Sequence, residues 1–210
     1  MGSNLFEEYN NVKLQGNIIS DKIFNHEIFG EKFYKLELEV PRLSDAVDII
    51  PILVSERLLG NDEMKLNTYI YVEGQYRSYN DQNDSKHRLV LMVFVKSYNK
   101  IKGIDLTMSQ NEILLNGFLC KPPVYRTTPL GREIVDMLVA VNRAYNKSDY
   151  IPVIAWGRNA KFCKDLKIGQ NIIVNGRIQS RQYEKKFPDG TLQKRKAYEV
   201  SLNKLELITE

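Results

Sequence analysis

Apolar residues along this chain alternate with polar ones in short runs, and the runs come in two similar sets. In the first half they cover residues 12–18, 33–40, 49–54, 68–77 and 88–95. In the second half they cover residues 112–117, 133–142, 151–156, 171–180 and 197–207. Alternation with a period of two turns one face of a segment to a core and the other to water, so each run predicts a half-buried strand. Between the third and fourth run of each set, residues 55–64 and 159–166 have helical composition, and the latter stops near Gly169. Residues 99–109 are polar and interrupted by Gly103, which predicts a linker and two domains, 1–103 and 104–210.

The two sets are copies of one another. A shift of 101 residues lays Val12, Leu14 and Gly16 on Ile113, Leu115 and Gly117. The same shift lays Arg42, Asp48, Pro51 and Arg57 on Arg143, Asp149, Pro152 and Arg158. One added residue brings Val72, Gly74 and Ser78 onto Val174, Gly176 and Ser180. An ordered series at one offset is the mark of a duplication. Five strands with a helix between the third and fourth is the order of the OB-fold, a five-stranded Greek-key barrel, although periodicity alone does not separate it from other small barrels. The fold class expected is therefore all-β, with two tandem barrels and one short helix in each.

Composition removes several classes of function. No run approaches the ~20 apolar residues that span a bilayer, and residues 1–9 are polar and acidic, unlike a secretory leader, so a cytoplasmic protein is expected. Cys120 and Cys163 lie far apart, and His26 and His87 are solitary, so neither a metal nor another cofactor is expected. There is no P-loop, no Gly-x-Ser-x-Gly and no paired carboxylates with an acid–base partner, so no catalysis is expected. The net charge of +4 hides an asymmetry. Residues 1–103 hold 13 Lys and Arg against 15 Asp and Glu, whereas residues 104–210 hold 17 against 11. A basic excess in one half suits a polyanion-binding half.

Three segments of the second half carry a resemblance. They are NEILLNGFLCKPPVYRTTPLGREI (111–134), VDMLVAVNRAY (135–145) and VIAWGRNAKFCKDLKIGQNIIVNGRIQSRQYE (153–184). In order, they resemble the strands, first loop and helix of the bacterial single-stranded DNA-binding protein family. The resemblance implies an OB barrel that holds single-stranded DNA in replication, recombination or repair. It also implies that exposed aromatics occupy four places, which here are Tyr145, Tyr150, Trp156 and Tyr183.

Those residue types fit the chemistry. Bases stack on aromatic rings without regard to sequence, and cations track the phosphates. Interleaved with the rings are Arg126, Arg143, Arg158, Arg177, Arg181, Lys185, Lys186 and Arg195, with Arg132, Lys194 and Lys196 as further positive charge. Arg177 and Arg181 share a strand face by the period-two rule. Phe187-Pro-Asp-Gly190 marks the tip of a basic hairpin with Tyr183 at its base, and Phe187 is a further candidate for stacking.

The first copy has Ser44, Ile49, Ser55 and Asp81 at the four aromatic positions, so most affinity is expected in the second barrel. Its own Tyr71, Tyr76, Tyr79 and Arg77 offer either a different site or barrel packing. By the same resemblance a homodimer presenting four barrels is expected. The ending Lys204 to Glu210 lacks an acidic, apolar tip, so recruitment of other proteins through a tail is not expected. A second reading makes the barrels a primosome-like protein-docking module with little DNA binding of its own. RNA remains open beside DNA.

Overall fold

A computed structural model describes residues 10–80, 89–186 and 190–208. The first half comprises β1 (Asn10–Ile18), β2 (Ile23–Ile28), β3 (Glu31–Pro41), β4 (Val47–Ser55), α1 (Glu56–Leu59), β5 (Tyr69–Asn80) and β6 (Leu89–Lys100). The second repeats it with β7 (Asn111–Leu119), β8 (Val124–Thr127), β9 (Glu133–Arg143), β10 (Lys147–Trp156), α2 (Gly157–Cys163), β11 (Asn171–Lys186) and β12 (Leu192–Ile208). The fold is all-β. None of the helices among the described residues is long and apolar enough to cross a membrane.

Each half closes on itself. Strands run β3-β4-β6-β5-β1 in the first and β9-β10-β12-β11-β7 in the second, and pairings β1–β3 and β7–β9 complete the two barrels. The β4–β6 and β10–β12 pairs are parallel and the others antiparallel, as a Greek-key path requires. Apolar positions from the alternating runs fill the interior, among them Leu14, Leu36, Ile52 and Val72 in one barrel and Leu115, Val139, Val153 and Val174 in the other.

The paired glycines of the repeat mark closure points. A Cβ on Gly16 would lie 2.6 Å from the Glu39 carbonyl oxygen, and one on Gly117 would lie 2.5 Å from that of Ala140. Any larger residue would push apart the strands that seal each barrel.

Two short strands, β2 and β8, were not predicted. Nearly all their residues are exposed, so they bury no face and leave no alternation to read; they form by pairing with β3 and β9. The helices are shorter than composition suggested, and α1 is reduced to one turn.

The barrels join edge to edge. β1 and β7 pair antiparallel, with Val12 opposite Ile113, and those two residues are equivalent in the repeat. The pairing is therefore centred on a local two-fold axis, as between subunits of an isologous dimer.

Side-chain contacts follow that symmetry. Asp48 Oδ1 accepts the Ser180 N–H at 2.8 Å, and Asp149 Oδ1 accepts the Ser78 N–H at 2.8 Å. Ser180 Oγ accepts the Ile49 N–H at 3.1 Å, and Ser78 Oγ accepts the Tyr150 N–H at 2.9 Å. Arg42 pairs with Asp48 at 2.5 Å and Arg143 with Asp149 at 3.6 Å. Both carboxylates are nearly or wholly buried. Polar residues kept in both copies thus form the seam between the barrels.

Candidate nucleic-acid interface

The register fixes which side chains share a face. Tyr150, Pro152, Ile154 and Trp156 lie on the side of β10 turned from the barrel core, with Ile154 itself covered, and Ile154 pairs with Ser201, which in turn pairs with Arg177. Cross-strand partners lie on one side of a sheet. The outer face of β10–β12–β11 therefore carries Tyr150 and Trp156 at one side and Arg177, Arg181 and Tyr183 at the other. Tyr150 and Trp156 are six residue steps apart along the strand, or about 20 Å at the usual rise.

All four expected aromatics reach solvent: Tyr145 is 94% exposed, Tyr150 45%, Trp156 37% and Tyr183 36%. Two stand where local structure favours a different residue. Tyr145 sits in the β9–β10 turn with φ 63°, a left-handed conformation that bulky residues avoid. Trp156 occupies the N-cap of α2 with no side-chain cap bond, whereas the equivalent Ser55 caps α1 by accepting the Leu58 N–H at 3.2 Å. Giving up such a cap costs about 0.5–2 kcal/mol.

The basic residues divide into committed and available groups. Arg177 lies 3.0 Å from Asp48 across the seam, and its burial lowers its pKa. Arg143 lies on the seam side of β9 against Asp149. Arg126 on β8 grips Asp136, the cross-strand partner of Ile154, at 2.5 Å, and that hydrogen bond raises its pKa. Arg181 pairs with Glu199 at 3.4 Å while its guanidinium stays 5.7 Å from the centre of the Tyr183 ring. Arg195 is opposite Tyr183 in the hairpin and donates from Nε to Gln193 at 2.9 Å.

Arg158, in the first turn of α2, and Arg132 are exposed without an ion pair among the described residues. Lys194 is exposed and Lys196 lies 4.0 Å from Glu37. The backbones of Lys185 and Lys186 extend β11 toward the hairpin tip. Phe187 lies outside the described residues, as does Asp81 of the first copy. Among the described residues no group of three His, Cys, Asp or Glu could hold a metal ion.

The first barrel presents a different face. Leu53 and Phe94 pair where the second barrel has Ile154 and Ser201, and Met92 stands at the place of Glu199. Phe33, Leu53 and Met92 pack into a small second core there, against Tyr79, Val90 and Phe94. The Arg77 guanidinium lies 3.6 Å above the Phe94 ring. Of the tyrosines proposed for this barrel, Tyr76 is fully buried in the main core and Tyr71 is engaged with Glu73 at 2.9 Å. Sequence reasoning gave no role to Asp48, Asp149, Ser78 or Ser180. Their signal was polar identity at matched repeat positions.

Residues 110–208 match the model of the single-strand binding protein family. The single-stranded DNA-binding protein of Clostridium tetani is 38% identical over 88 residues, covering 39% of this chain and 59% of that protein. Single-stranded DNA-binding protein 1 of Staphylococcus aureus is 37% identical over 81 residues, covering 35% and 48%. The chain thus spans about half the length of the curated relatives it matches. The crystal structure of the wild-type single-stranded DNA binding protein from Thermus aquaticus superposes with a TM-score of 0.76. It is 21% identical and covers 96% of this chain and 93% of that one, so the likeness in fold extends over both barrels.

Proposed function

Over residues 110–208 the chain belongs to the single-strand binding protein family, and from that premise we propose that the protein binds single-stranded DNA through its second barrel, in replication, recombination or repair. One observation carries the reading: aromatic rings face solvent at positions where the backbone and the helix cap favour other residues. Side chains that cost local stability yet keep a ring open to solvent are explained by a ligand. Tyr145, Tyr150, Trp156 and Tyr183 serve as platforms for bases. Arg158, Lys185, Lys186 and Arg195 neutralise phosphates, Arg126 and Arg181 reach them by exchanging their carboxylate partners, and Arg143 and Arg177 add positive potential at the seam. The units are residues 1–103 and 104–210, two chains associate to present four barrels, and the protein works in the cytoplasm by binding alone.

The test is a titration with oligo(dT) over a range of salt. The affinity is expected to fall with a log–log slope of about −0.7 per phosphate neutralised, and duplex of equal length to bind far more weakly. Trp156→Ala should weaken oligo(dT) binding by about 5-fold or more. Equal affinity for duplex and single strand, or an unaffected Trp156 variant, refutes the proposal.

A docking role suits the first barrel better than stacking does. Its closed outer face is bordered by the exposed edge strand β2, with Ile23 61%, Phe24 56% and the adjoining Phe29 105% exposed. An open apolar edge of this kind is a site for protein contact.

A further inference from the structure

Resting on the reading of Tyr150 as a platform, we infer that the first barrel acts as a clamp on the second, and that Ser78 is the positioning residue through which it holds Tyr150. Ser78 engages two consecutive residues at the start of β10. Its N–H donates to Asp149 Oδ1 at 2.8 Å, and its Oγ accepts the Tyr150 N–H at 2.9 Å. Both contacts lie at the base of the β9–β10 hairpin, whose turn carries Tyr145. Arg143, at the other leg of that hairpin, reaches the same carboxylate at 3.6 Å.

The backbone N–H of Tyr150 points to the other barrel and not along a ladder, so Ser78 fixes the height and tilt of the strand where the ring projects. An aromatic platform half exposed to solvent has few packing contacts of its own to set its direction. The backbone beneath it therefore sets the ring.

The mirror contacts grip the second platform strand. Asp48 Oδ1 takes the Ser180 N–H at 2.8 Å, and Arg42 donates to the Ser180 carbonyl oxygen at 3.3 Å, three residues before Tyr183. A barrel without exposed rings at the matched positions thereby holds both strands that bear them. Asp149 is buried with Ser78 and two guanidiniums around it, Arg143 and Arg77, so the grip is an ordered network and not a single bond.

A double-mutant cycle on the full chain tests the inference, with oligo(dT) affinity as readout. Ser78→Ala should weaken binding about three- to tenfold, the span of one neutral hydrogen bond. Its salt slope should stay unchanged, since no phosphate contact is lost. Ser78→Thr, which keeps the hydroxyl, should bind like the parent. In a Tyr150→Ala background Ser78→Ala should add nothing further. Ser78→Cys, of similar volume but a weak acceptor, gives the same reading should the alanine variant fail to fold.

Equal losses from Ser78→Ala in both backgrounds, or no loss in the parent, overturn the clamp. A Tyr150→Ala variant that binds like the parent sinks the platform reading at Tyr150 instead, which keeps the two failures apart.

Discussion

Replacing Tyr145 by glycine should raise stability and lower DNA affinity together. The side chain is 94% exposed, so removing it forfeits almost no burial. The backbone does change, because φ is 63° at Tyr145, and a Cβ in the left-handed region costs about 1–2 kcal/mol that glycine does not incur. Part of that gain is offset by the greater freedom of glycine in the unfolded chain, about 0.5–1 kcal/mol. A net increase of several tenths to about 1 kcal/mol is left, readable as a higher urea midpoint at constant slope.

Binding moves the other way. Loss of one stacked base costs about 1–3 kcal/mol, which is about 5- to 140-fold in affinity for oligo(dT). Tyr145→Ala separates the two effects, since it removes the ring and keeps the Cβ. It should bind as poorly as the glycine variant without the gain in stability. Fluorescence titrations and urea melts on the three proteins suffice. A glycine variant that is less stable than the parent, or an alanine variant with parental affinity, would refute the argument that the turn tolerates strain for the sake of the ring.

Two other predictions concern the scaffold. Gly117→Ala places a Cβ 2.5 Å from the Ala140 carbonyl oxygen and 2.9 Å from Val139 Cγ1, and should cost about 1–3 kcal/mol in urea melts. Gly103→Ala, where nothing lies within 4 Å, should instead raise the midpoint slightly, by the gain of about 0.4–1 kcal/mol that alanine draws from a less free unfolded chain. At the seam, burial raises the pKa of Asp149 despite its bonds to Ser78 and the nearby arginines. A raised folded-state pKa means stability is gained on protonation and lost as pH rises from the ordinary carboxylate value, about 4, through the raised one. The parent should therefore gain stability relative to Asp149→Asn as pH falls toward 4, and a constant difference between them over that range would contradict the burial argument.

The core strands could be read from the sequence because each buries one face, and Leu14, Leu36 and Val72 announce that face by their spacing. β2 and β8 could not, since Phe24 or Val124 in a strand held only by its neighbour leaves no periodic trace. The aromatic positions were found by resemblance, and their exposure is a separate physical fact. What alternation could not convey was partnership. Arg143 and Arg177 looked like any other cations near the rings; Arg143 meets Asp149 across the β9–β10 hairpin, and the engagement of Arg177 with Asp48 depends on a pairing of β1 with β7 that no local pattern encodes. The repeat did hold the clue, for Asp48 and Ser78 recur as Asp149 and Ser180 while their neighbours differ.

That contrast between kept and changed positions bears on why the chain has two barrels. At the seam the copies agree in Arg42 and Arg143, Asp48 and Asp149, Ser78 and Ser180: each aspartate accepts the serine N–H of the other barrel and pairs with the arginine of its own. On the outer face Pro51 and Pro152 agree, but the copies differ where a ligand would lie: Phe94 against Ser201, Met92 against Glu199, Ile49 against Tyr150. A closed apolar cluster cannot admit a base, because Met92 and Leu53 already fill the space over the sheet and expose almost none of their surface. Had the first barrel persisted as a weaker second binding site, its rings would have been the features to keep and its seam the part free to drift. The reverse pattern fits a barrel whose contribution is geometric. It completes the two-fold pairing that a lone barrel would need a second chain to supply, and it holds the hairpins of its neighbour in place at no cost in association entropy.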